Sequence, residues 1–167
     1  MKKTIAVMIG AWIIFALVLV TDIGVTKGQI EKEIKERANI DTGWNVESEI
    51  SKDMAAIIYY DKETKDFDCN IYVNYPGLSF GYLFKLGGNY PEIEDGVGMY
   101  ESDKIPAAAY VSMNVPKVNR IIIGSGDDAE MIVIDSKKPF AVVVEKDRGR
   151  ITLYDENDEI VTQKRLT

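Results

Sequence analysis

Residues Ile5 to Val20, IAVMIGAWIIFALVLV, run for sixteen positions without a charge, and no other feature constrains the chain as much. At about 1.5 Å per residue, a helix of that length covers roughly 24 Å of a hydrocarbon core about 30 Å thick. Carrying the helix on to Val25 closes the gap and leaves Thr21 and Asp22 near the outer headgroups, where a carboxylate is tolerated. Lys2 and Lys3 precede the run and few basic residues follow it directly. The positive-inside bias therefore leaves the N-terminus in the cytoplasm and puts the rest of the chain on the far side. The lipid bilayer is the expected partner of Ile5 to Val25.

Two other readings of the same stretch compete. A cleaved secretory signal needs small residues before its cut, and Thr26 and Gly28 ahead of Gln29 fit loosely. A buried core helix of a soluble protein is the third reading, against which the missing polar stripe argues. Lipidation is excluded, because it needs a cysteine right after the apolar run and the single cysteine is Cys69.

This reading divides the chain into an anchor over 1–28, a helical stalk and linker over 29–43, and an extracytoplasmic β-rich domain over 44–167. In the stalk, QIEKEIKERA (29–38), Ile30 and Ile34 form one narrow apolar edge. Glu31/Lys35 and Glu33/Arg37 are spaced for i,i+4 attraction. Two apolar positions are too few for a sustained heptad seam. The segment reads as a solvated spacer, with a small dimer seam as the alternative.

Residues 30–167 carry 17 basic against 26 acidic residues, a net charge of −9. Such a domain lacks the basic footprint that nucleic acid requires, and nucleic-acid binding is set aside. The chain has no histidine and one cysteine. That removes the usual neutral-pH general base, histidine-based metal ligation and any intrachain disulfide. An exported domain of about 125 residues can still be held by its core alone. The lysine-led apolar start and the lack of disulfides together fit a bacterial cell envelope.

From Trp44 onward the hydrophobic period turns toward two. Met54–Tyr60 (MAAIIYY) is an expected strand, and Phe67–Asn74 alternates. Phe67, Cys69, Ile71 and Val73 share an apolar face, and Asp68, Asn70, Tyr72 and Asn74 share a wet one. Ser79–Leu86 is a further strand, with Gly81 marking a bulge or a close backbone approach. Residues 107–113 read as strand, and 118–123 with 129–134 as a hairpin. Strands over 140–145, 150–154 and 159–164 follow, separated by Asp-, Asn- and Gly-rich turns. The expected fold class is mainly β, either all-β or β-rich α+β. An antiparallel meander, sandwich or curved sheet of about eight or nine strands would follow the transmembrane helix and stalk.

Candidate chemistry is sparse. Asp61, Asp66, Asp68, Glu92, Glu94, Asp95, Asp127, Asp128, Asp155 and Asp158 could in principle supply a paired-carboxylate hydrolase, but nearly all lie in expected turns. Asp155-x-Asn157-x-Glu159 imitates the start of a calcium loop, yet Ile160 stands where glycine is required. Cys69 falls on an apolar face and reads as core. A Ser–Lys pair at Ser51-Lys52 or Ser136-Lys137 would place adjacent strand residues on opposite faces. No catalytic residue, cofactor or metal is expected.

Aromatic residues are concentrated over 75–100. Tyr75, Phe80, Tyr82, Phe84, Tyr90 and Tyr100 form the candidate binding surface, because tyrosine offers apolar area with a hydroxyl. Ordinary sheet packing is the competing explanation. The sequence thus points to a membrane-anchored, non-enzymatic module. It would contact another membrane or envelope protein through residues 75–100 and an unpaired sheet edge. An exported small-ligand or glycan binder is the alternative, and a carboxylate-based hydrolase ranks last.

Overall fold

The computed structural model describes residues 24–38, 40, 43–63, 66–75 and 81–167. The run Ile5–Val20 and Phe80 lie outside the described residues. Among the described residues, no helix is long and apolar enough to cross a membrane.

The chain is mainly β. Twelve strands form three four-stranded sheets among the described residues. The first sheet is a meander of β1 (Asn45–Ile50), β2 (Met54–Tyr60), β3 (Phe67–Val73) and β4 (Leu83–Gly88). The second places β5 (Val97–Glu101) and β6 (Ala107–Ser112) between β12 (Gln163–Arg165) and β9 (Phe140–Glu145). The third has the order β11 (Ile160–Val161), β10 (Ile151–Asp155), β7 (Val118–Ile123), β8 (Glu130–Val133). Two helices complete the body, α1 (Ile30–Ala38) and the single turn α2 (Pro91–Glu94).

The layering follows from strands that are apolar on both faces. Every residue of β2 is buried, and β6 (AAAYVS) is buried throughout. Met54, Ala56, Ile58 and Tyr60 of β2 meet Ala107, Ala109 and Val111 of β6 with Ala141 and Val143 of β9 in one apolar cluster. The opposite face of the second sheet carries Ala108, Tyr110, Phe140, Val142 and Val144. These pack on Val118, Ile121, Ile123 and Leu153 of the third. The second sheet is therefore the middle layer. The other face of the first sheet, with Ala55, Ile57, Tyr59, Tyr72 and Tyr82, packs on Ile30 and Ile34 of α1. The order through the body is α1, first sheet, second sheet, third sheet.

This arrangement corrects several expectations. Ile30 and Ile34 are fully buried, so α1 is a docked layer of the body and not a solvated spacer. The face of β3 expected to be wet lies under that helix, with Asn70 and Tyr72 fully buried. Residues 159–164 do not form one strand. The chain leaves the third sheet after Val161 and re-enters as β12 at the edge of the second, where it runs parallel to β5. Leu166 then enters the cluster between the first two sheets, its N–H donating to Met99 O at 2.8 Å.

The ladder between β3 and β4 shifts register between Ile71 and Tyr72, so that Ile71 opposes Leu86 while Tyr72 opposes Phe84. One residue, Lys85, is extra. A bulge of this kind re-aims side chains, and Leu86 enters the inner cluster while Tyr82 joins the cluster under α1.

Val25 is not helical. It forms an isolated antiparallel bridge with Tyr82, Val25 N–H donating to Tyr82 O at 2.9 Å and Tyr82 N–H to Val25 O at 2.8 Å. The two backbones approach so closely that glycine is needed on both sides. A Cβ on Gly24 would lie 2.4 Å from Tyr82 O, and one on Gly81 would lie 2.6 Å from Val25 O. Gly81 also has φ +90, a region that other residues rarely adopt. Gly24 and Val25 are thus part of the folded body.

Two substitutions test the docked N-terminal segment. Ile34→Ala should cost about 2–5 kcal/mol, the range for emptying a well-packed aliphatic site. Gly81→Ala should cost about 1–3 kcal/mol through backbone strain and the clash with Val25. Urea midpoints would read both, and a free stalk would leave the Ile34→Ala midpoint unmoved.

Candidate functional site

Three regions carry the side chains of interest: the polar cluster under α1, the dispersed aromatics of 75–100, and the outer face of the third sheet.

Helix α1 presents Ile30 and Ile34 to the first sheet, and Glu33 and Arg37 border that stripe. The Arg37 guanidinium lies 3.6 Å from the centroid of Phe84 and donates to Asn70 Oδ1. Asn70 Nδ2 donates to Asp68 Oδ1 at 2.6 Å. Tyr72 Oη donates to Glu33 Oε1 at 3.2 Å and accepts from Arg37 at 3.5 Å. Phe84 meets Tyr72 edge-on, with centroids 5.6 Å apart. The chain Asp68–Asn70–Arg37–Tyr72–Glu33 satisfies polar groups that the helix has covered, and it fastens the helix to the sheet. Burial pushes the Asp68 carboxyl up, opposed by the Asn70 hydrogen bond and by Arg37. Tyr59, beside this cluster, is 2% exposed, and its hydroxyl has no hydrogen-bond partner among the described residues. Burial, with Glu31 and Tyr72 nearby, pushes that hydroxyl up to about 12.

The six aromatic candidates do not share one surface. Tyr82 is buried under α1, with its hydroxyl donating to Ser51 O, and Phe84 is half exposed beneath Arg37. Tyr75, Tyr90 and Tyr100 pack at the margin of the cluster between the first and second sheets, on the opposite side. Lys85 Nζ sits 4.7 Å from the Tyr75 ring centroid. Phe80 lies outside the described residues. The structure brings Tyr82 and Phe84 to one face of the first sheet and the three tyrosines to the other. The alternation of residues 80–84 could not show this, because the bulge at Lys85 and the cover of α1 decide it.

The third region escaped sequence reasoning. Ile121, Ile123 and Leu153 point inward, so their neighbours along the third sheet point outward. Met131 of β8 opposes Ile122 of β7, which opposes Thr152 of β10. In the next row Val133 opposes Arg120, Arg120 opposes Tyr154, and Tyr154 opposes Ile160 of β11. Met131, Val133 and Ile160 are 57%, 73% and 61% exposed. Arg120 lies between them, 4.6 Å over the Tyr154 ring and 2.8 Å from Asp158 Oδ1. Among the described residues this sheet has no layer beyond it, and its order ends at β8 with no further strand. The available sequence signal was the run Met131–Ile134, an apolar stretch on a strand that no later segment pairs.

The other sheet edges are managed differently. On β9 the Val143 N–H is capped by Glu49 Oε2 of β1 at 2.9 Å, a carboxylate blunting an edge. The Asp155 carboxylate accepts the N–H groups of Asn157 at 2.8 Å and Glu159 at 2.9 Å. Those bonds, Glu159 first, hold its carboxyl below the usual range and commit it to its own turn. Among the described residues, no three metal-ligating side chains come together.

No protein family, curated protein or solved structure matches this chain.

Tyr59→Phe removes an unpaired buried hydroxyl without changing shape and should leave stability unchanged or raise it by about 1 kcal/mol. A loss of stability by thermal or urea unfolding would reveal a hydrogen bond there. Asp68 titrates with the opposite sign to a salt-bridged carboxylate. Its pKa is raised on folding, so its favourable contribution is full below the unfolded-chain value and is lost as pH rises through the folded one. Asp68→Asn should therefore match or exceed the parent at neutral pH, with its relative advantage shrinking on acidification. Urea midpoints across that range check the sign.

Proposed function

We propose that the protein is a membrane-anchored, non-enzymatic interaction module of the cell envelope. Its N-terminal run crosses the bilayer, and its β-rich body faces outward to contact another membrane or envelope protein. The observation that carries the reading is the open face of the third sheet. Of the six large apolar side chains exposed among the described residues, Met131, Val133 and Ile160 share this one face. Solvent-facing apolar groups gathered beside a free strand edge are the usual ground for protein contact, by face packing or by strand addition. The edge strand β8 offers its backbone, while Met131 and Val133 supply apolar anchors.

Retention of the N-terminal segment is supported by the bridge at Val25. A cut before Gln29 would remove both backbone bonds to Tyr82 and the Lys27 Nζ bond to Ile50 O at 3.3 Å. A body built around those contacts favours the intact anchor. Tethering also raises local concentration near a partner fixed in the same membrane, so modest affinity suffices.

Cross-linking of the full-length chain in its native membranes should give a defined protein adduct. Val133→Glu should abolish that adduct while leaving the unfolding free energy within about 0.5 kcal/mol, as for an exposed surface change. Val46→Glu, at a 41% exposed site on the first sheet, should leave it intact. An adduct insensitive to Val133→Glu sinks the assignment of this face.

A further inference from the structure

We infer that the free edge of β8 pairs with the same edge of a second copy of this chain, antiparallel about a two-fold axis at Ile132. The inference deepens the reading above and rests on it. It keeps the third sheet as the contact surface, names the occupant of its edge, and leaves the joined outer faces to the other envelope protein.

The phase of the ladder decides which backbone groups are free. β8 meets β7 with Met131 opposite Ile122 and Val133 opposite Arg120, and the Ile134 N–H donates to Asn119 O at 2.9 Å. Bonded pairs recur at every second residue of an antiparallel ladder, so Ile132 and Glu130 also turn their backbone groups toward β7. Met131 and Val133 turn theirs away. The neighbouring ladder keeps the same phase. Gly124 N–H donates to Arg150 O at 2.9 Å, which points Ile122 and Arg120 at β10 and leaves Ile121 and Ile123 to β8. Met131 and Val133 thus each hold one N–H and one C=O at the rim of the sheet, unpaired among the described residues. An open groove of about 240 Å³, lined by Val133, Asp135, Phe140 and Glu47 among others, lies beside them.

These groups are self-complementary. With Met131 set opposite Val133 of the second copy, each free N–H meets a free C=O, and the two-fold axis repeats the contact. Both copies use the same edge, so the association closes at two chains. On the outer face the register places the Met131 side chain against Val133 of the second copy, an apolar cross-strand pair.

The flanking charges favour the same arrangement. Asp127, Asp128 and Glu130 stand at the start of β8, and Asp135, Lys137 and Lys138 follow its end. Glu130 is paired with Arg148 at 2.5 Å. Asp135 accepts the Lys137 N–H at 3.0 Å and lies 3.9 Å from Lys138 Nζ. Glu47, across the groove, is 3.4 Å from the Tyr60 hydroxyl. Glu156 accepts from Ser136 at 2.7 Å and is paired with Lys117 at 3.5 Å, with Lys137 further away. Asp127 and Asp128 remain at one end of the strand, and Lys137 with the loosely held Lys138 at the other. Continued past the strand ends, the antiparallel register lays the acidic end of each copy along the basic end of the other. A parallel pairing would set like charges together.

The test uses the full-length chain in neutral detergent micelles. Sedimentation should show two chains per complex, separating on dilution. Copies carrying Met131→Cys, mixed with copies carrying Val133→Cys, should oxidise to a linked pair, because opposed Cα atoms of a bonded pair lie about 5.5 Å apart. Either variant alone should lose most of that product, its cysteines sitting diagonally about 7–8 Å apart. The parent chain, whose fully buried Cys69 is shielded, is the blank. Lys137→Glu with Lys138→Glu, both exposed, should weaken association about tenfold, and Asp127→Lys with Asp128→Lys in the same chain should restore it. A chain that stays single at every concentration, a dimer without the mixed disulfide, or a charge exchange that restores nothing overturns the pairing. A single chain that still gives a Val133→Glu-sensitive adduct with a different protein overturns the pairing and leaves the reading above standing. Loss of every adduct overturns both.

Discussion

A strand that is apolar on both faces must be covered twice, and two such strands set the architecture. β2 and β6 bury every residue they contain. Covering β6 on each side requires the first and third sheets, and covering the outer side of β2 requires α1. Sheets stack about 10 Å apart, so each added layer is another apolar interface with its own interdigitating side chains. Alanines 107–109 at the centre keep the middle sheet thin, while the larger side chains of its neighbours fill the two interfaces. With no disulfide in the chain, this double coverage is what holds the body together.

The same constraint explains what could be read from the chain and what could not. MAAIIYY announces a strand, and the alternation of 67–73 gives the inward face of β3 correctly, while the burial of β2 on both sides comes from the structure. The identity of the cover is a different matter. Asp68, Asn70 and Tyr72 look wet by composition, yet Arg37 and Glu33 arrive from a helix thirty-odd residues upstream to satisfy them. Ile30 and Ile34 look too few for a docking stripe because their partners are supplied by another element. The aromatics of 75–100 divide between two faces for a local reason, one extra residue at Lys85 that shifts the register. Non-local cover and single-residue register shifts leave no periodic trace, and both decided the fate of the candidate surface.

Glycine at 24 and 81 lets two distant backbone segments meet. A side chain at either position would collide with the opposing backbone, so the bridge exists only because both are bare. Its effect is to fasten Val25 beside Tyr82, next to the end of the first sheet that α1 covers.

The stack is closed at one end and open at the other. α1 caps the first sheet, and its polar residues are matched to the groups they cover. Nothing equivalent lies over the third sheet among the described residues, although its outward positions include Met131, Val133 and Ile160. Apolar exposure scattered over a surface is ordinary, but rows of it on one sheet beside an unblunted edge are the pattern that edge protection elsewhere in this body avoids. Glu49 guards β9, whereas the free side of β8 carries Met131 through Val133. Arg120, held between Tyr154 and Asp158, keeps the face from being purely apolar and gives it a fixed polar landmark. Among the described residues the layer sequence ends there, on a face whose apolar rows surround one fixed guanidinium.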